Sequence, residues 1–314
     1  MLTAYPASTQ ADGRLHEAVW IDLQSPTEAE AAQVAAATGL RIPTREDVSA
    51  IEASSRLQRV HETLYLSTPM LVVGETSHMT PVGFVLSRER LVTVRFDALG
   101  AFDAAAQTAR EEEEITSLGM FTCVFEAIVD RVADGLEHMS SELEAVSRAI
   151  FHQARRADPR ERNEMRQRQV LGEVGRIGEH LSQIRDVLLG VARIVAFVIE
   201  VRHAGQDDGI SDRLKAVRQD VLSLNDYATQ LDSKVQFLLD AVLGFITISQ
   251  NDIFKVLTVW SIVGIPPTLM AGVWGMNFKA MPELNWAWGY AMALAAILAS
   301  ALIPLAWFKR KGWI

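Results

Sequence analysis

Val256–Trp274 reads VLTVWSIVGIPPTLMAGVW, 19 residues without a formal charge. At about 1.5 Å per residue, a helix of that length rises roughly 28 Å, close to the hydrocarbon thickness of a bilayer. Trp286–Phe308 is a second uncharged run of 23 residues, long enough to span with some tilt. Trp274, Trp286, Trp288 and Tyr290 gather at one end of the pair, and Trp307 and Trp313 mark the other. Amphipathic rings sit at those interface levels. A buried hairpin in a soluble core is the alternative, but such helices seldom stay uncharged for two bilayer widths. Two membrane spans are therefore expected. Beyond Val256 the charges are Lys279 and Glu283, then Lys309, Arg310 and Lys311, while Lys255 precedes the first span. Basic ends face the cytoplasm. That rule places both termini inside and the connecting loop, roughly 12 residues, outside.

Pro266 and Pro267 interrupt the first run. Each removes a backbone donor and disfavours straight helix. The carbonyls so freed need partners from neighbouring helices, Thr268 or water. A simple kink and carbonyls turned towards a wet pathway both fit.

Upstream, Ile210–Asp252 holds no proline and a single glycine, Gly244. Leu214, Val217, Val221, Leu224, Ala228, Leu231, Val235, Leu238, Val242 and Phe245 recur in steps of three and four. That is a coiled-coil seam with a period near 3.5. It runs into the first span without a breaker, so one helix is expected from about Ser211 to Trp274, roughly 95 Å long. The seam needs partner helices. Helical patterns over Ser117–His152 and Pro159–His203 can supply some within the chain, with Pro159 placed as a first-turn residue after Asp158. Arg155, Arg156, Arg160, Arg162, Arg166 and Arg168 surround the tip of that hairpin, either as a solvated face or facing acidic lipid or acidic helices.

The N-terminal third reads as mixed α/β. Ala18–Leu23, Thr63–Val73, Pro81–Leu86 and Leu91–Phe96 are strand candidates rich in β-branched and apolar residues. Pro26–Gly39, Thr44–Ala53 and Ala101–Leu118 are helix candidates, and Thr44 with Asp47 has the spacing of a capping box. The expected division is 1–118, a mixed α/β cytoplasmic domain; 119–250, a helical hairpin and coiled stalk; 251–274, the first span; 275–286, an outer loop; 287–308, the second span; and 309–314, a basic tail. The fold class is α+β with a long stalk helix and two C-terminal transmembrane helices.

Other signals exclude more than they assign. The chain carries a formal net charge of -9, which argues against a nucleic-acid partner. Cys123 is the single cysteine and lies in the apolar run Met120–Phe125, as a small core residue would. It excludes an intrachain disulfide and a cysteine-cluster metal site. Met1–Gln10 holds no apolar segment, so no cleaved signal peptide is expected. The seven histidines are scattered, and no nucleotide-binding glycine loop or H-E-x-x-H helix occurs. No catalytic constellation emerges, so neither an enzyme nor a small-molecule substrate is expected.

At the outer end of the first run stands Gly275-Met276-Asn277-Phe278, followed by Met281-Pro282-Glu283-Leu284. Here the sequence resembles the CorA family, whose signature is Gly-Met-Asn closing the first of two C-terminal spans. The likeness extends from GFITISQNDIFKVLT at Gly244 through PPTLMAGVWGMNF and MPEL to the basic end FKRKGWI. AVWIDL at Ala18–Leu23 and IEASSR at Ile51–Arg56 are similar to the enterobacterial branch of that family. A lone Gly-Met-Asn is a weak signal; at a span end, with MPEL behind and a stalk ahead, it is strong.

The resemblance implies a funnel-shaped homopentamer in the cell inner membrane. It would conduct Mg²⁺, with Co²⁺ or Ni²⁺ as alternatives, inward down the membrane potential without ATP hydrolysis. The family's selectivity filter falls on Gly275, Met276 and Asn277, and its pore-lining positions on Asn251, Phe254, Leu257, Ser261, Ile265, Thr268 and Gly272. Most of these, with Thr258, also recur at steps of three and four along one helix side. The stripe carries no carboxylate. Mg²⁺ gives up its waters reluctantly, so five Asn277 amide oxygens would suit the hydrated ion. Phe254 and Leu257 would form an apolar constriction, or simply pack between helices. The family also implies a regulatory Mg²⁺ held between subunits by stalk and N-domain carboxylates. An ungapped register from Gly-Met-Asn puts the best-known stalk position on Ala216, which departs from the pattern. Asp212 and Asp220 on the stalk and Glu75 in the N-domain are the candidates, with Asp226 and Asp240 nearby. Two alternatives stand beside this reading. A zinc-type, proton-coupled relative would tend to carry Gly-Val-Asn, against Met276. A membrane-anchored coiled-coil scaffold would need neither Asn277 nor the uncharged stripe.

Overall fold

The structure, a computed structural model, describes residues 1–6, 14–50, 52, 56–74, 77–111, 116–156, 164–202, 208–276 and 286–313. Six strands, β1 (Leu2–Tyr5), β2 (Trp20–Gln24), β3 (Leu57–Val60), β4 (Thr63–Val72), β5 (His78–Leu86) and β6 (Leu91–Arg95), form one sheet in the order β1-β2-β6-β5-β4-β3. Only β2 and β6 are parallel, with Trp20 opposite Leu91; the other pairs are antiparallel. The helices are α1 (Glu28–Thr38), α2 (Arg45–Val48), α3 (Gly100–Glu111), α4 (Ser117–Arg156), α5 (Glu164–Arg202), α6 (Asp208–Trp274) and α7 (Gly289–Arg310). The chain divides into two compact units. One comprises Met1–His152 with Gln169–Leu238, the other Gln153–Arg168 with Leu239–Ile314.

In the first unit both sheet faces are covered by helices and carry apolar clusters. On one face Ile21, Leu23, Val85, Val92 and Val94 cluster with Val34 of α1. Alternation sends Phe84 to the other face, where it meets Phe102 of α3 and Phe121 and Phe125 of α4 at ring-centroid distances of 6.2, 6.2 and 5.0 Å. The same alternation brings Trp20, Asp22, Thr93 and Arg95 to one side. Trp20 Nε1 donates to Thr93 Oγ1 at 3.0 Å, and Thr93 Oγ1 donates to Asp22 Oδ1 at 2.6 Å. Arg95 Nη2 completes the chain at 2.9 Å from Asp22 Oδ2.

Two capping boxes start α1 and α2. Thr27 with Glu30, and Thr44 with Asp47, satisfy each other's free backbone N–H groups. The Thr27 N–H lowers the Glu30 pKa, and the Thr44 N–H lowers that of Asp47 against a smaller opposing effect of burial. The expected helix over Thr44–Ala53 is a correction: it stops at Val48. The single helix expected over Ala101–Leu118 is a second one, because α3 ends at Glu111 and α4 begins at Ser117.

The seam is met inside the chain. Leu214, Val217, Val221, Ala228, Leu231, Val235, Leu238 and Val242 are all buried in the single subunit. A Cβ on Gly178 of α5 would lie 3.3 Å from Val235, and Phe151 of α4 stacks on Phe237. Arg213 makes a bidentate pair with Glu126 of α4, Nη2–Oε2 2.6 Å and Nε–Oε1 3.0 Å. The seam therefore marks intrachain helix packing and does not itself require other copies. The side chains of Arg155, Arg156, Arg160, Arg162 and Arg166 lie outside the described residues.

Candidate functional site

The second unit contains the C-terminal part of α6 and all of α7, and both helices are long and apolar enough to cross a membrane. At 100° per residue, Asn251, Phe254, Leu257, Ser261, Ile265, Thr268 and Gly272 fall within an arc of about 120°. All but Ser261 are exposed in the single chain; Phe254, Leu257 and Ile265 stand 64%, 60% and 62% open. The stripe is uncharged throughout.

Its hydroxyls are oriented by the helix itself. Thr258 Oγ1 donates to the Phe254 carbonyl at 2.7 Å, Ser261 Oγ to Leu257 at 2.9 Å, and Thr268 Oγ1 to Gly264 at 2.8 Å. With the proton committed to backbone, each oxygen presents lone pairs outward and acts as an acceptor. The Thr268 bond also corrects one expectation. Pro266 and Pro267 free the carbonyls of Ile262 and Val263, one turn back, and Thr268 serves neither of them.

The helix ends where the motif begins. The Gly275 N–H closes the last turn on the Ala271 carbonyl at 2.9 Å, and the Met276 N–H reaches Val273 at 3.3 Å. A Cβ on Gly275 would sit 3.0 Å from the Ala271 oxygen, so glycine suits this tight exit. Asn277 lies outside the described residues, as do Glu75, Lys279 and Met281–Leu284. At the foot of the span, Lys255 is paired with Asp252 at 3.1 Å.

The family follows from comparison with known proteins. The model of the CorA-like Mg²⁺ transporter protein family matches residues 16–310, nearly the whole chain. This chain belongs to the CorA-like Mg²⁺ transporter family. Curated relatives named magnesium transport protein CorA, from Salmonella typhimurium and Escherichia coli K12, are each 33% identical over 306 residues, covering 96% of this chain and 93% of theirs. The complete structure of the CorA magnesium transporter from Methanocaldococcus jannaschii shares the fold at TM-score 0.74 and 18% identity, covering 94% of this chain and 91% of that one. The α+β unit, long helix and two apolar C-terminal helices are thus a CorA-type fold, and the two apolar helices are its membrane spans.

Among the described residues, the stalk acids Asp212 and Asp220 do not come together within one chain. Asp212 and Asp220 are both exposed and eight residues apart, about 12 Å along a helix. Asp212 Oδ1 is held by Lys215 Nζ at 2.8 Å. Among the described residues no three His, Cys, Asp or Glu side chains are placed to share a metal ion. The intrachain pairs Arg213–Glu126 and Arg176–Glu142 were not anticipated. Partners 87 and 34 residues apart leave no local spacing signal.

Proposed function

We propose that this chain is one subunit of a homopentameric channel that passes hydrated Mg²⁺, with Co²⁺ or Ni²⁺ as alternative cargo, inward across the cell inner membrane. Both termini face the cytoplasm in this reading, which Lys309, Arg310 and Lys311 beyond the second span support. Two spans cannot enclose a polar pathway, so a pore needs several copies, and cyclic symmetry would set one face of α6 on the axis.

The observation that carries the reading is the uncharged stripe from Asn251 to Gly272, exposed at all but Ser261, on a helix that ends at Trp274 just before Gly275-Met276. The waters around Mg²⁺ donate hydrogen bonds, and the ion sheds them reluctantly. Ser261 and Thr268, with their protons turned into the helix, offer acceptors to those waters without binding the metal. Asn277 amide oxygens would do the same at the outer mouth. Carboxylates there would bind harder and slow release. Phe254 and Leu257 form the gate, because an apolar ring resists a hydrated ion. The membrane field supplies roughly 4.6 kcal/mol per 100 mV for a divalent cation. Cytoplasmic Mg²⁺ closes the pore through stalk acids, Asp212 and Asp220 among them, with Glu75 from the N-domain.

Light scattering of the full chain in detergent tests the assembly. A pentameric mass is expected; monomers or dimers alone, across several detergents and salt concentrations, would remove the channel reading.

A further inference from the structure

The end of α7 is built as a stopped turn. Gly312 adopts φ +70°, which a glycine accepts without strain. Its N–H donates to the Lys309 carbonyl at 3.2 Å, and the Trp313 N–H donates to the Phe308 carbonyl at 3.1 Å. These two bonds around a left-handed glycine define a Schellman stop. The apolar contact that accompanies such a stop is also present: the Trp313 ring stacks on Phe308 with centroids 5.3 Å apart. Phe308 is buried, and Trp307 meets it edge-on at 5.1 Å.

Three cations rim this aromatic base. Lys311 Nζ lies 4.6 Å from the centroid of the Trp307 ring. Lys309, Arg310 and Lys311 are all exposed, and among the described residues none has a carboxylate partner. On α6, by comparison, Lys255 pairs with Asp252 and Lys215 with Asp212. Three adjacent positive charges repel one another, which an anion placed among them relieves.

We propose that this turn is a clasp for the headgroup of an anionic phospholipid. The phosphate would lie among Lys309, Arg310 and Lys311, with the arginine fork supplying paired N–H donors. Trp307 and Trp313, each about half exposed, would lie at the headgroup level beside it. A zwitterionic lipid offers the same phosphate with an ammonium group that these cations repel, so the clasp prefers net negative lipid. The inference rests on α7 spanning the membrane and is independent of ion conduction, so failed flux leaves it standing.

Native mass spectrometry of the full chain in detergent, titrated with phosphatidylglycerol or phosphatidylcholine, tests it. Basic residues near a membrane surface each favour anionic lipid by about fivefold, so an excess of at least about tenfold of phosphatidylglycerol is expected. The variant K309Q/R310Q/K311Q should lose that excess, and the charge-preserving K309R/K311R should keep it. Gly312→Val, which cannot hold the stop, should lower it without changing charge. For the unmodified protein, raising salt from about 0.05 to 0.5 M should shrink the excess. An excess retained by the triple variant, by Gly312→Val or at high salt would overturn the clasp. So would displacement of phosphatidylglycerol by millimolar inorganic phosphate, which would mark a site for a free anion.

Discussion

Gly190 of α5 lies against Thr68 of β4 so closely that a Cβ on the glycine would overlap Thr68 Oγ1. This is one point where the helical hairpin meets the sheet, beside the Phe121 and Phe125 contacts with Phe84. Alanine favours a helix interior by about 1 kcal/mol over glycine, so larger residues here should help if nothing opposed them. Gly190→Val should instead destabilise the protein by about 1–3 kcal/mol through overpacking. Adding Thr68→Ala should recover part of the loss. Denaturant unfolding checks both, and an unchanged midpoint for Gly190→Val would show that the contact yields.

Asp22 and Arg95 form a buried ion pair across the two parallel strands. Arg95→Leu leaves a buried carboxylate with Thr93 as its remaining hydrogen-bond partner from that chain, and should cost about 3–5 kcal/mol. The double variant Asp22→Leu with Arg95→Leu should be less destabilised than the single, because no lone charge remains. Urea unfolding of the two variants gives the comparison.

Much of this fold was legible from local patterns. Thr44 with Asp47 announced a capping box, and the seam from Leu214 to Val242 announced a buried helix face. Other features carried too little local signal. β1 has only four residues, Leu2–Tyr5, too few for alternation to be recognised. β3, Leu57–Val60, is a mostly exposed edge strand with Gln58 and Arg59 in it. Thr27 with Glu30 has capping-box spacing and could have been found. The seam's period shows that a partner exists but not whose it is, and α4 and α5 of the same chain fill that place. The contact of Gly190 with Thr68 joins residues far apart in sequence, which no periodicity reports. At the pathway, the stripe and the Gly275 exit follow from helix geometry. The role of Asn277 rests on the family resemblance.

Phe254 and Leu257 project from α6 into the open in the single chain. As the proposed gate they would hold back a hydrated ion by excluding water. Phe254→Ala and Leu257→Ala should each raise basal conductance severalfold. Planar-bilayer recordings of folded pentamers provide the check, and lower conductance in both variants would place the gate elsewhere.

Asp212 and Asp220 lie about 12 Å apart along the helix, too far to share one ion, so the proposed regulatory Mg²⁺ would sit at one of them with other ligands. Such binding closes the pore only by favouring the closed state over the open one. Neutralising both, as Asp212→Asn with Asp220→Asn, should raise the inhibitory cytoplasmic Mg²⁺ concentration several-fold. Ala216→Asp should lower it. Patch currents that ignore internal Mg²⁺ up to about ten millimolar, where a few kcal/mol of site binding would already shift the equilibrium, would point to a constitutive pore.

The proposed Mg²⁺ pathway runs along α6 and is driven by the membrane potential. Its most direct test is Mg²⁺ entry into proteoliposomes holding a Mg²⁺-sensitive dye, at imposed inside-negative potentials. Entry should steepen with potential and be lost in Asn277→Ala while the assembly stays intact. Entry no faster than in protein-free vesicles at every potential, or normal entry through Asn277→Ala, would contradict it.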